Sequence, residues 1–289
     1  MNEKEKDVPE LNDSPTLERK MKMQQMELNI KENMEKIKHK IAIISGKGGV
    51  GKTTVAANLA IKFADEGESA GSLDVDITGP NLHKLLGVRD RPLVDPMTKI
   101  IIPVDGPLNL KIMSMAFLLE TEHTPVIWRG PMKMGVIREF LGSVKWGDLN
   151  YLVIDLPPGT GDETLDIMQL VKPIDGVVVV TTSQEMSLID VAKTIIMSKK
   201  MEVPVLGLIE NMSSYKCPHC GKEEQIYGEK GAAEKLARDM GVPFLGSIPL
   251  EPEFVQQTKE NVPVILQKID SQAKEAFENI YQNLKKQLK

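Results

Sequence analysis

The chain has 289 residues, 41% of them hydrophobic and 27% charged, with a formal net charge of −5. That balance describes a globular domain near the upper size of one core, and its acidity argues against nucleic acid or an anionic membrane as the main partner. Only two cysteines are present, too few for a disulfide scaffold, and no apolar run reaches the roughly 18 residues that would span a bilayer.

In chain order, residues 1–16 are polar, carry Pro9 and Pro15, and read as a disordered leader. They lack the apolar core of a signal peptide, so a reducing, cytoplasmic compartment is expected. Residues 17–38 read as a helix with Met23, Met26, Ile30, Met34 and Ile37 on one stripe. Such a stripe docks a partner or packs on its own domain, and the second is the commoner use. Segment 1–38 is therefore set apart from a single domain over 39–289.

From residue 40 onward, short β-rich runs alternate with helical ones. KIAIIS, SAGSLDVD, YLVIDLP, GVVVVTTS, VPVLGLIEN and VPFLGSIP read as strands. TTVAANLAIKFADEG, ETLDIMQLVK, SLIDVAKTIIMSKK and GAAEKLARDMG read as helices. Apolar strands with helical crossovers predict an α/β fold, a mostly parallel sheet with helices on both faces. The last stretch, SQAKEAFENIYQNLKKQLK, puts Ala276, Ile280, Leu284 and Leu288 on one helical face. It predicts a final helix packed on the sheet rather than a membrane anchor.

Gly46-Lys47-Gly48-Gly49-Val50-Gly51-Lys52-Thr53 fits G-x-x-x-x-G-K-[ST] between a strand and a helix, the setting of a P-loop NTPase. Its glycines let backbone N–H groups turn around phosphate oxygens, and the helix N-terminus adds partial positive charge. ATP with Mg²⁺ is the expected ligand. Lys52 is expected on the β- and γ-phosphates and the Thr53 hydroxyl on Mg²⁺, with Thr54 beside them. Lys47 is not needed to hold its own loop's phosphates. It has the reach to touch a nucleotide on a second subunit, as an arginine finger does. Acidic residues follow at strand tips: Asp74 and Asp76 end SAGSLDVD, and Asp155 ends YLVID ahead of LPPGTGDE. The carboxyl ends of parallel strands face the ligand crevice. Each carboxylate alone would read as a helix cap; beside the P-loop, Asp76 and Asp155 read as functional and Asp74 is left open.

Cys217 and Cys220 lie in SYKCPHCGKEEQIYG, within an insertion near 213–227. Two residues between them suit a metal knuckle or a redox disulfide. A sulfur-rich metal site wants four ligands, and one chain offers two. His39, His83 and His123 show no ligand spacing, and His219, inside the pair, reads as solvent-exposed. An iron–sulfur cluster, a zinc bridged between chains and a redox disulfide all stay open on these residues.

GKGGVGKT, with its second lysine, resembles the deviant P-loop of the MinD/ParA/nitrogenase-iron-protein class, in which nucleotide sits at a homodimer interface. LDVDITGPN, MSMAFLL, WRGPMKMGVIREFL, WGDLNYLVIDLPPGTGDETLD, TTSQEMSLIDVAK and ENMSSYKCPHCG occur in that order. Together they resemble the Mrp/ApbC-type nucleotide-binding iron–sulfur cluster carriers, from about Ile41 to about Pro263. The resemblance implies a slow ATP hydrolase with Lys47, Lys52 and Asp76 catalytic, Asp76 positioning the attacking water. It implies Asp155 in the Mg²⁺ shell, the Gly159 N–H sensing the γ-phosphate, and Asn211 reading the adenine edge. It also implies a homodimer in which Cys217 and Cys220 of both chains hold a [4Fe–4S] cluster for transfer to apo iron–sulfur proteins. Some members of this family carry a further N-terminal domain or four-cysteine cluster; with two cysteines, a second permanent cluster is not expected here. The other reading is a MinD/ParA-like positioning or partition ATPase with a zinc or redox C-x-x-C. It predicts a basic surface or terminal anchor and leaves the cysteines without a task. Trp128, Arg129 and Trp146 read as a partner surface or, for the tryptophans, as core, and core is expected.

Overall fold

The computed structural model describes residues 14–77, 79–119, 130–217, 219–251, 261–268 and 271–288. Of the expected leader over 1–16, residues 1–13 lie outside these described residues, as do Trp128 and Arg129, while residues 14–16 belong to the first helix instead.

The strands are β1 (Ile37–Ser45), β2 (Ala70–Asp74), β3 (Leu93–Val94), β4 (Ile101–Ile102), β5 (Val104–Asp105), β6 (Lys111–Ser114), β7 (Leu149–Asp155), β8 (Gly176–Thr181), β9 (Val205–Lys216), β10 (Glu223–Glu224) and β11 (Phe244–Leu250). The helices are α1 (Ser14–Glu35), α2 (Lys52–Asp65), α3 (Leu82–Leu85), α4 (Gly130–Ser143), α5 (Asp162–Leu170), α6 (Glu185–Lys200), α7 (Ala232–Asp239) and α8 (Gln272–Lys285). In space the main sheet runs β11-β9-β8-β1-β7-β2-β6-β5, parallel throughout except for β5. The short β10 turns back antiparallel on the far end of β9. β1 is central, flanked by β7 and β8, so the loop after it opens where the chain's path divides to the two sides of the sheet.

Strand alternation builds two cores. Ile41 and Ile43 face α2 and α8 with Val55, Leu59, Phe63, Phe277 and Ile280. Ala42 and Ile44 face the other way, with Ile30 and Met34 of α1, Phe140 of α4 and Ile195 of α6. These side chains are at most 2% exposed, and each large one contributes about 1.5–3 kcal/mol of burial free energy. Burial on both faces is what keeps the central strands apolar at nearly every position.

The expected N-terminal stripe is split. Ile30 and Met34 are buried, Met26 packs at the core's edge, Met23 is 44% exposed, and Ile37 belongs to β1 rather than to the helix. α1 thus packs against α4, and β1 begins before residue 39. The ammonium of Lys40 fixes that junction by donating to the carbonyls of Met34 and Ile37 at 3.1 and 2.8 Å. Its burial pulls the Lys40 pKa below the ordinary lysine value despite Asp175 nearby. The last helix, α8, lies on β11 and α2 with Phe277, Ile280 and Leu284 fully buried. Trp146 is core, 4% exposed. Among the described residues no helix is long and apolar enough to cross a membrane.

Candidate nucleotide site and cysteine hairpin

The loop from Gly46 to Gly51 joins β1 to α2. Gly49 and Gly51 have φ of 81° and 83°, the left-handed region that favours glycine, and the turns they make bring the loop back over the start of α2. Positions 48 and 49 face open space: a Cβ at either would meet nothing within 4 Å. Gly51 is different, because a Cβ there would overlap the Asn211 amide. The loop thus has an open side, with room for a phosphate, and a closed side packed on β9.

Asp155, at the tip of β7, organises the floor. Its carboxylate takes the Lys52 ammonium at 2.5 Å and the Thr53 hydroxyl at 2.7 Å. A cation held by Thr53 would therefore have a carboxylate within hydrogen-bond reach of its ligand, so these residues fit the Mg²⁺ that the motif implies. Asp74, its register neighbour on β2, is wholly buried and accepts from the Asp76 N–H, the Leu82 N–H and the Ser114 hydroxyl at 3.1, 3.2 and 3.0 Å. Burial pushes both carboxyls up. Asp155 is opposed by Lys52 and Thr53, while Asp74, with the charge of Asp155 added to its burial, is pushed up to about 8.

Three expected positions differ in detail. β2 ends at Asp74, so Asp76 stands in the loop beyond the strand, 8% exposed, accepting from the Gly79 N–H at 3.3 Å. Gly159, at φ 90°, donates its N–H to the Ser45 carbonyl at 2.8 Å; a phosphate would have to compete for that N–H. Asn211 does not end its strand, which runs on to Lys216. Its amide donates to the Val50 carbonyl at 2.8 Å and so ties the P-loop to β9. Lys47 meets Gln184 Oε1 at 2.8 Å. Thr54 lies half-buried in the first turn of α2.

Beyond Asn211, β9 leaves β8. Their pairing ends at Thr181 and Glu210, Met212 takes a left-handed φ of 55°, and residues 211–216 continue beyond β8, still beside β11 as far as Tyr215. Six residues of strand reach roughly 20 Å. The strand folds back as β10, with Lys216 opposite Glu223, and Ser214 Oγ donates to Glu223 at 2.6 Å. Cys217 and Cys220 occupy the tip of this hairpin. The Cys217 N–H donates to the Lys222 carbonyl and the Gly221 N–H to the Cys217 carbonyl, both at 2.8 Å. Both thiols are free, and Cys220 is exposed. Backbone N–H groups of Cys220 and His219 aimed at Cys217 hold its thiol below the ordinary cysteine value, which suits a metal-binding thiolate. Among the described residues no group of three or more His, Cys, Asp or Glu side chains is placed to hold a metal ion. Two thiols are fewer ligands than a sulfur-rich metal site takes. Sequence reasoning missed Gln184, the tie from Asn211 to Val50, and the Ser183–Glu210 contact; only long-range pairing across the sheet reveals them.

The model of the NUBPL iron-transfer P-loop NTPase family (ParA) matches residues 36–285. An iron–sulfur cluster carrier protein of Methanocaldococcus jannaschii is 48% identical over 261 residues, 90% of this chain and 88% of that one. Its counterpart in Saccharolobus solfataricus is 45% identical over 258 residues, 89% and 86% of the two chains. Among solved structures, a nucleotide-binding protein from Archaeoglobus fulgidus in complex with ADP is 38% identical with a TM-score of 0.71, covering 86% of this chain and 98% of its own. The cell division ATPase MinD of Pyrococcus furiosus is 27% identical with a TM-score of 0.65, covering 86% and 99%. The P-loop site, the cysteine hairpin and these matches over most of the length agree, and the chain belongs to the NUBPL iron-transfer P-loop NTPase family, among the iron–sulfur cluster carriers.

Proposed function

We propose that the protein hydrolyses ATP slowly, assembles a [4Fe–4S] cluster between two copies of itself and passes it to apo iron–sulfur proteins. The observation that carries this reading is the cysteine hairpin: two free thiols at its tip, the pKa of Cys217 drawn down by neighbouring N–H groups, with no group of three metal-ligating side chains among the described residues. Two copies related by a two-fold axis supply four thiolates. A cluster held only at such a tip is accessible for transfer, which suits cargo better than a buried redox centre.

Nucleotide binding follows from the open side of the P-loop. Gly46, Gly48, Gly49, Val50 and Gly51 would turn N–H groups on the phosphates, with Lys52, Thr53 and Thr54 at the helix start and Asn211 at the adenine edge. Bound Mg²⁺ would draw charge from the phosphates, held by Thr53 with Asp155 behind it. Asp76 would orient the attacking water, Lys52 would neutralise charge within its own chain, and Lys47 would do so across the dimer. Gly159, joined to Ser45, would report the γ-phosphate by exchanging that bond.

The likeness to MinD supports the fold and the ATPase class, and a positioning role remains the rival. The hairpin favours the carrier, since a positioning ATPase has no use for an exposed thiol pair. The test is transfer. The reconstituted protein is mixed anaerobically with an apo enzyme that needs a [4Fe–4S] cluster, and recovered enzyme activity is followed with and without ATP. Recovery with the native chain and none with Cys217→Ala supports the carrier. Equal recovery with both chains removes the hairpin from the task.

A further inference from the structure

Lys47 has no task in cradling its own loop, yet it has a partner inside its own chain. Its ammonium donates to Gln184 Oε1 at 2.8 Å. Gln184 stands between β8 and α6 at the helix cap position, and its side chain makes no capping bond to the helix. The carboxamide is turned on the lysine instead.

The turn that carries Gln184 is held from several directions. Gly46, next to Lys47, packs on α6 so closely that a Cβ there would come within 2.6 Å of the Asp190 carbonyl carbon. The Thr182 and Ser187 hydroxyls bond each other at 3.0 Å across the turn. Ser183 Oγ donates to Glu210 of β9, which is 3% exposed and also accepts from Ser247 at 2.7 Å. Gly228, on the chain returning from the cysteine hairpin, lies against the Ser183 carbonyl at φ 56°, where a Cβ would overlap that oxygen. A side chain on a turn this constrained is pre-organised, so its bond to Lys47 is a built contact and not a chance meeting of two surface groups.

We infer that Gln184 is the positioning residue for Lys47: it holds the ammonium within its own chain, and Lys47 leaves it to reach nucleotide bound by a second copy. The inference rests on the dimeric reading proposed above. A neutral amide suits a hold that has to be released, since a carboxylate in its place would bind the ammonium about twice as strongly. Gln184 therefore sets how readily two chains engage, while the chemistry stays with Lys47, Lys52 and Asp76.

The test uses the full chain, unmodified and as Gln184→Ala and Gln184→Glu, with ATP turnover per chain measured against protein concentration. Gln184→Ala frees Lys47 and lowers the concentration for half-maximal turnover about three- to tenfold. Gln184→Glu raises it at least as much, and added salt shrinks that rise. A purely structural role moves both variants the same way and is indifferent to salt; that result, or no shift in either, overturns the inference. In a Lys47→Met background, with dimerisation read by sedimentation in ATP and Mg²⁺, the two Gln184 variants coincide. A difference between them there also overturns it. If turnover of the unmodified chain does not vary with its concentration, the dimeric reading itself has failed and takes the inference with it; the unmodified chain alone reveals that failure.

Discussion

The P-loop floor and the cysteine hairpin sit at the same end of one sheet, and they are built in opposite ways. At the floor, Lys52, Thr53 and Asp155 satisfy one another within a single chain, and Asp155 has no exposed surface. At the tip, Cys217 and Cys220 stand beyond the end of β9 with backbone bonds to shape them and, among the described residues, no further ligand to make a group of three. A buried, mutually paired site is made for chemistry that has to exclude water. A pair at a loop tip, with Cys220 exposed, is open to a second copy, as the proposed cluster transfer requires. β9 joins the two, since Asn211 touches the P-loop and Cys217 directly follows the strand's last residue, Lys216.

The contrast is broken most severely at Lys52. Lys52→Ala is expected to abolish ATP turnover and, by leaving Asp155 buried without its cation, to lower stability by about 3 kcal/mol, the low end for a broken buried pair because Asp155 takes up a proton. Cys217→Ala should leave both turnover and the urea midpoint near the native values. Comparable destabilisation by the two variants would mean that the hairpin is part of the packed core. Asn211→Ala comes next, because it removes the hydrogen bond that ties β9 to the loop. Weaker nucleotide binding by about tenfold is expected, measured by titration calorimetry, in line with roughly 1–1.5 kcal/mol for one hydrogen bond. An unchanged affinity would remove both the adenine role and the tie.

Two smaller effects sharpen the comparison through pH. Cys217 should alkylate with iodoacetamide at a lower pH than an ordinary free thiol, because its neighbours' N–H groups favour the thiolate. Mass spectrometry of the modified peptide locates the label. At the floor the sign is reversed. The Asp74 carboxyl is raised from its ordinary value of 3.8 to about 8, so the folded chain binds a proton there that the unfolded chain has released. That contribution is complete below about pH 4 and is lost as pH rises through 8. Asp74→Asn should therefore flatten the fall in Tm between pH 5 and pH 8; an unchanged slope would place the proton elsewhere.

Much of this was legible from local sequence. Strand, loop and helix around GKGGVGKT follow from an apolar run, glycines and a helix-forming stretch, and burial on both faces explains why β1, β7 and β8 read as parallel strands. What stayed hidden depends on register. Nothing local says that β9 continues five residues past Asn211 to Lys216, that β2 stops at Asp74, or that Ile37 leaves the helical stripe for a strand. Gln184 reads as an ordinary polar residue before a helix, and only the neighbouring position of β1 and β8 brings it to Lys47. The short strands β3 to β6 gave little signal, being at most four residues long with mixed exposure.

The central claim is that the cysteine pair is half of a shared site. Anaerobic reconstitution with iron and sulfide, followed by iron, sulfide and zinc counts with the mass of the species in solution, tests it directly. The account predicts a dimer with about four irons and four sulfides, lost in both Cys217→Ala and Cys220→Ala. A monomer that keeps a full cluster, or a chain that takes up only zinc, would contradict it.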